Sequence, residues 1–168
     1  MLSFRLFILW LHLLAAVVWI GGLLFHLLVV IPALTRATSE REQLRLGLSL
    51  EARFRSVMWS AVGVVLLTGL YNVMNVFYTT AVAGGHVPSA FIQILGLKLL
   101  LVALMIAVQS IQQFVIRPRR LALLGGIPAS ALTLPQPLVK LQRVSQLLYI
   151  LTVCLAAAVL WCALLLRG

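Results

Sequence analysis

Residues 9–34 read LWLHLLAAVVWIGGLLFHLLVVIPAL. A helix that crosses a bilayer needs about 20 predominantly apolar residues, and this run is long enough. It is also too long for the apolar core of a cleavable leader, and it ends at Pro32-Ala33-Leu34 before a charged loop instead of at a small-residue cleavage site. The sequence therefore predicts a retained membrane helix. Its two ionisable side chains are His12 and His26, and titratable groups inside a span are costly and commonly functional.

The rest of the chain repeats the pattern. Of 168 residues, 63% are hydrophobic and 10% charged, with a mean hydropathy of +1.14. A soluble domain of this size has too much surface to hide so much apolar area. Four segments qualify as spans, at about 6–34, 56–80, 91–116 and 144–166. The fold predicted is an all-α integral membrane protein, one domain over 1–168, built as a bundle of four transmembrane helices.

The formal net charge is +10. In a soluble chain that excess would raise nucleic acid as a partner, but here the charges sort by loop, so no nucleic acid is expected. Loop 35–55 carries Arg36, Arg41, Arg45, Arg53 and Arg55, and loop 117–143 carries Arg117, Arg119, Arg120, Lys140 and Arg143. Loop 81–90 (AVAGGHVPSA) carries no Lys or Arg. The positive-inside rule then places the two basic loops in the cytoplasm and both termini outside, an N-out/C-out topology. The lipid bilayer is the expected partner, with anionic headgroups against the basic loops. A homodimer or a larger membrane complex is a further expected partner.

The first basic loop contains Ser39-Glu40-Arg41-Glu42, where Ser39 and Glu42 have capping-box spacing. A helix is expected to start there and run into the second span, supported by Glu51 and Arg55 at i,i+4. The acidic residues Glu40, Glu42 and Glu51 all fall in this loop, so no carboxylate is expected in the membrane interior. That argues against a paired-carboxylate hydrolase and a carboxylate-based proton pump. Residues 121–138, LALLGGIPASALTLPQPL, are apolar but broken by Gly125, Gly126, Pro128, Pro135 and Pro137 and flanked by basic clusters. They predict an interfacial or shallow re-entrant segment. Gly84–Gly85 and Gly125–Gly126 read as turns.

Depth groups the remaining polar residues. Alternating spans put His12, Met74, Lys98 and Cys162 in the outer leaflet, with His86 in the loop above them. Arg5 and Arg167 lie near the outer ends, where they can snorkel. At 100° per residue His12, Trp19 and His26 fall within about 40° of one another on one helical stripe, with Ala15, Ala16 and Gly22 on or beside it. Small residues there let a helix or a flat ligand approach. Around His26 the expected company is Ser60, Met58, Gln109, Gln112 and Gln113. Cys154 and Cys162, at i and i+8, are about 12 Å apart along a helix and form no disulfide.

Two cofactors match these residue types. Two histidines 14 residues apart on one helix, an axial reach of about 21 Å, have the spacing of two-haem b-type cytochromes, with His12, His26 and Lys98 as cofactor-binding residues. Copper fits imidazole, thioether and thiolate donors, with His12, His86, Met74 and Cys162 as the metal set. The competing reading is that the histidines are hydrogen-bonded helix contacts, and that the chain is a non-catalytic subunit. There is no nucleophile–base pair and no phosphate loop. The one enzyme class left open is a haem- or porphyrin-linked oxidoreductase.

The pattern LHLLAAVVWIGGLLF followed by Pro32-Ala33-Leu34, Arg53-Phe54 before Leu67-Thr68-Gly69-Leu70-Tyr71-Asn72, and Leu95-Gly96-Leu97-Lys98-Leu99-Leu100-Leu101 together resemble the copper resistance protein D (CopD) family. The resemblance covers about residues 8–116 and implies copper uptake or resistance at the bacterial inner membrane. The chain is also similar to HemJ-type protoporphyrinogen oxidases, with His12 and Lys98 at matching positions. It lacks the arginine that those proteins carry soon after the tryptophan of the first span, where His26, Leu27 and Leu28 stand.

Overall fold

In a computed structural model, which describes residues 2–36, 39–128 and 134–166, the chain is helical and has no strand among the described residues. Helix α1 (Leu2–Phe25) passes through a widened turn, His26–Val30, into the short α2 (Ile31–Thr35). Helix α3 spans Glu40–Val82, and α4 (Ser89–Ile111) passes through a second widened turn, Gln112–Ile116, into α5 (Arg117–Gly125). Helix α6 spans Gln136–Leu165. Four continuous helical stretches, 3–34, 40–82, 89–125 and 136–165, are long and apolar enough to cross a membrane. The chain is an all-α four-helix membrane bundle.

The ends of the helices follow from local chemistry. Ser39 caps α3, its hydroxyl accepting from the Glu42 N–H at 3.3 Å. At the other end Gly84 adopts φ +68°, a left-handed conformation that glycine reaches without a Cβ clash. The Gly85 N–H then reaches the Thr80 carbonyl and the Gly84 N–H the Ala81 carbonyl, each at 3.0 Å, which satisfies two terminal carbonyls of α3.

The bundle core is thin and made of small and medium side chains. Ala15, Trp19 and Leu23 of α1 meet Ala61, Val62 and Val65 of α3, with Met105 of α4 and Ala156 of α6. α1 packs mainly on α3, and α4 mainly on α6. Large apolar residues face outward, as in Val17 (68% exposed), Leu67 (72%) and Phe114 (68%). That inversion suits hydrocarbon and not water.

The helix expected to start at Ser39 and run into the second span forms as α3, one helix of 43 residues, about 64 Å long at the standard rise, roughly twice the hydrocarbon thickness of about 30 Å. The polar 40–55 stretch is therefore a helical extension of the second span. Two expectations change here. First, Glu51 points into the bundle. Its side chain is 9% exposed and pairs at 2.6 Å with Arg120, itself 4% exposed, in place of Arg55, so a carboxylate is buried near the basic end. Second, residues 121–125 belong to the end of a long helix. Beyond it Ile127 and Leu138 join Leu44 and Leu48 in a second small apolar cluster at the basic end. The Arg41 guanidinium holds this turn by donating to the carbonyls of Pro128 (2.7 Å) and Ile127 (3.1 Å). The middle of the expected re-entrant segment, 129–133, and Arg167 lie outside the described residues.

Candidate functional site

The histidine stripe of α1 faces three different helices. His12 meets α3, Trp19 meets α4 and His26 meets α6. Toward the end that carries the Gly84–Gly85 turn, His12 Nδ1 lies 2.8 Å from Thr68 Oγ1. The Thr68 hydroxyl donates to the Val64 carbonyl at 2.5 Å, so its oxygen accepts and Nδ1 carries the hydrogen. This assigns the Nε2 lone pair as the free acceptor of His12. Gly69 makes room for the ring, since a Cβ there would stand 3.2 Å from His12 Cε1. In mid-bundle, Trp19 Nε1 donates to Gln109 Oε1 at 2.9 Å.

His26 differs from His12. Its ring stacks on Tyr149 with centroids 4.4 Å apart and planes 30° from parallel. Among the described residues neither of its ring nitrogens has a hydrogen-bond partner. The ring lines a cavity of about 70 Å³ together with Met58, Trp59, Gln109, Gln112 and Glu51. Gln112 is buried and its Nε2 has no partner, an unspent donor in the cavity wall. Gly22, one turn before His26, sits so close to Met58 that a Cβ there would lie 2.7 Å from the sulfur. The missing side chain leaves room for the thioether beside the histidine face of α1.

Both His26 and Gln112 begin widened turns, and the two turns share a construction. The Ile31 N–H bonds to the His26 carbonyl, and the Arg117 N–H bonds to the Gln112 carbonyl, each an i→i+5 bond. Each turn is followed by a proline, Pro32 or Pro118, which has no N–H to continue the regular ladder. The sequences HLLVVIP and QQFVIRP thus place a polar side chain six residues before a proline in both helices. Such π-turns recur at functional sites.

The structure gathers only part of the outer set. Lys98 is half-buried and within electrostatic reach of His12 and of Cys162. Cys162 is buried, and both it and the exposed Cys154 are free thiols. Met74 is 62% exposed, and six residues beyond Thr68 it is turned about 120° off the face that meets His12. His86 is exposed in the turn after α3. Among the described residues no three His, Cys, Asp or Glu side chains converge as a metal site. Arg5 does not only reach for the surface. With the Asn75 amide turned so that its oxygen faces the guanidinium, that oxygen accepts from Nε at 2.7 Å and Nη2 at 2.9 Å.

The sequence pointed to His26, Met58 and the glutamines but not to Tyr149, Glu51 or Arg120. The spacing from a proline was the available signal for Gln112. Nothing in the sequence pairs Glu51 with Arg120, 69 residues away. Compared with protein-family models, curated proteins and solved structures, the chain matches none.

Proposed function

We propose that this protein binds and handles copper within the membrane, and that its working site is the cavity at His26. The observation that supports this is an imidazole with no hydrogen-bond partner among the described residues, sharing a small cavity with Met58. Imidazole and thioether are donors that suit Cu(I). A cavity of about 70 Å³ has room for an ion with several waters, since about 10–15 Å³ of such space holds one water. Gln112 Nε2 supplies a donor for such a water. In the outer layer, by contrast, two of the four expected ligands, Met74 and His86, are turned away. The resemblance to the CopD family points to the same class of function. The positive-inside rule orients the His26 end toward the cytoplasm, consistent with a bacterial inner membrane.

A second reading, b-type haem binding for electron transfer, is favoured by one observation. His12 and His26 face the bundle along one stripe of α1, and His12 is held with Nε2 free, as metal-ligating histidines commonly are. The donor types fit a haem, but the cavity is too small for a porphyrin unless the helices part.

Purified protein separates the two. Copper by elemental analysis should be stoichiometric, fall by at least tenfold in His26→Ala and Met58→Leu, and persist in His12→Ala. Copper content unchanged in His26→Ala would defeat the proposal. A Soret band lost in His12→Ala or His26→Ala would establish the haem reading instead.

A further inference from the structure

Two cavities meet at His26. The larger, of about 70 Å³, lies on the membrane side. The smaller, of about 20 Å³, lies toward the basic end between Leu34, Gly47, Gln142 and Ser145. His26, Glu51 and Tyr149 line both, so these three side chains form the partition between them. The smaller space has room for about one water.

The partition is held by one guanidinium. Arg120 Nη2 donates to Glu51 Oε2 at 2.6 Å and Nη1 donates to Gln142 Oε1 at 2.9 Å. Arg120 thereby ties α5 to α3 and α6. Its Nε is buried without a partner, so the contact is not fully satisfied. A buried ion pair gains little over apolar packing because both charges are desolvated, and that cost is returned when the groups reach water.

The levers are in place as well. Arg120 follows the widened turn Gln112–Ile116 and Pro118, while α2 follows the widened turn His26–Val30. Kinks form at prolines and π-turns. His26 and Gln112, which begin the two turns, both line the larger cavity, so the hinges stand at one level. The segments beyond them, α2 and α5, flank the smaller cavity through Ile31, Leu34 and Arg120.

We infer that the Glu51–Arg120 pair is a closed gate on a route for a small hydrated cation between the His26 cavity and the basic, cytoplasmic face, and that the two proline-linked turns are its hinges. When the pair parts, α5 swings from α3 and the two cavities join. The gate is independent of which ion uses it, so its test needs no copper.

The test uses the full chain in inside-out vesicles, with Cys154→Ser, Cys162→Ser and Met58→Cys, labelled by a membrane-impermeant cationic methanethiosulfonate. Labelling of the Met58→Cys thiol should be slow in this parent and at least tenfold faster with Glu51→Gln or Arg120→Gln added. It should be slow again in the exchanged pair Glu51→Arg/Arg120→Glu. Rates unchanged in the single variants, or an exchanged pair as fast as the single variants, would overturn the gate. If the exchanged pair does not fold, amide hydrogen exchange of the Glu51→Gln protein decides. Faster exchange confined to α2 and α5 supports the gate, and faster exchange spread over α1 and α6, or none, refutes it. Loss of copper binding in His26→Ala, or its absence altogether, leaves these outcomes unaffected.

Discussion

The two histidines of the first span share a residue type and a helical face, yet their environments diverge. At His12 a threonine one helix away fixes the tautomer through a relay to a backbone carbonyl. At His26 an aromatic ring fixes the plane and leaves the nitrogens to the cavity. Trp19, between them, joins α1 to α4 through a single indole bond. Trp19→Phe puts a smaller ring in a buried site and strands the Gln109 oxygen, at a cost of about 1–3 kcal/mol for the lost bond alone. Thermal unfolding in detergent should show the loss, with the helical signal of the folded protein unchanged. The stripe itself was legible at 100° per residue. What each ring touches was not, because the partners Thr68, Gln109 and Tyr149 lie on three other helices.

Among the elements, the sequence located all four spans, and the Ser39 cap and the Gly84–Gly85 turn formed where expected. The helix that starts at Ser39 ran into the second span as expected, because hydropathy falls before helicity does. The segment 40–55 is too polar for hydrocarbon, but it has a cap and no proline to stop it. Gly84→Ala tests the outer turn. Nothing lies within 4 Å of the added Cβ, so the cost is the left-handed backbone alone, about 1–2 kcal/mol. A larger loss of stability in the same detergent unfolding assay would mean that the turn bears on more than itself. Prolines 32 and 118 are helix punctuation in the sequence, and in the fold they widen two turns that present His26 and Gln112 to one cavity.

For the molecule as a whole, the contrast is between an interior of small apolar contacts and one concentrated polar cluster at the basic end. Glu51, Arg120 and Gln142 come from α3, α5 and α6, so this cluster is also a tie among helices. Arg120→Leu leaves a buried carboxylate unpaired and should cost about 3–5 kcal/mol, whereas Glu51→Leu with Arg120→Leu should recover most of that loss. Unfolding of both variants in detergent measures the difference. A double variant as unstable as the single one would show that Arg120 acts mainly through Gln142.

The sequence by itself determined that the chain is a four-span membrane bundle and that α1 carries a polar stripe into it. Those features depend on composition and on helical period, which are local. The charge distribution set the expected orientation in the same way. Only the tertiary structure decided which side chains share a space. It buried Glu51 against Arg120, turned Met74 outward and made His26 a ring that lines a cavity. The physical reason is that depth along a helix follows from counting residues, whereas facing between helices depends on their packing. Small residues such as Gly22 and Gly69 decide how closely those helices approach.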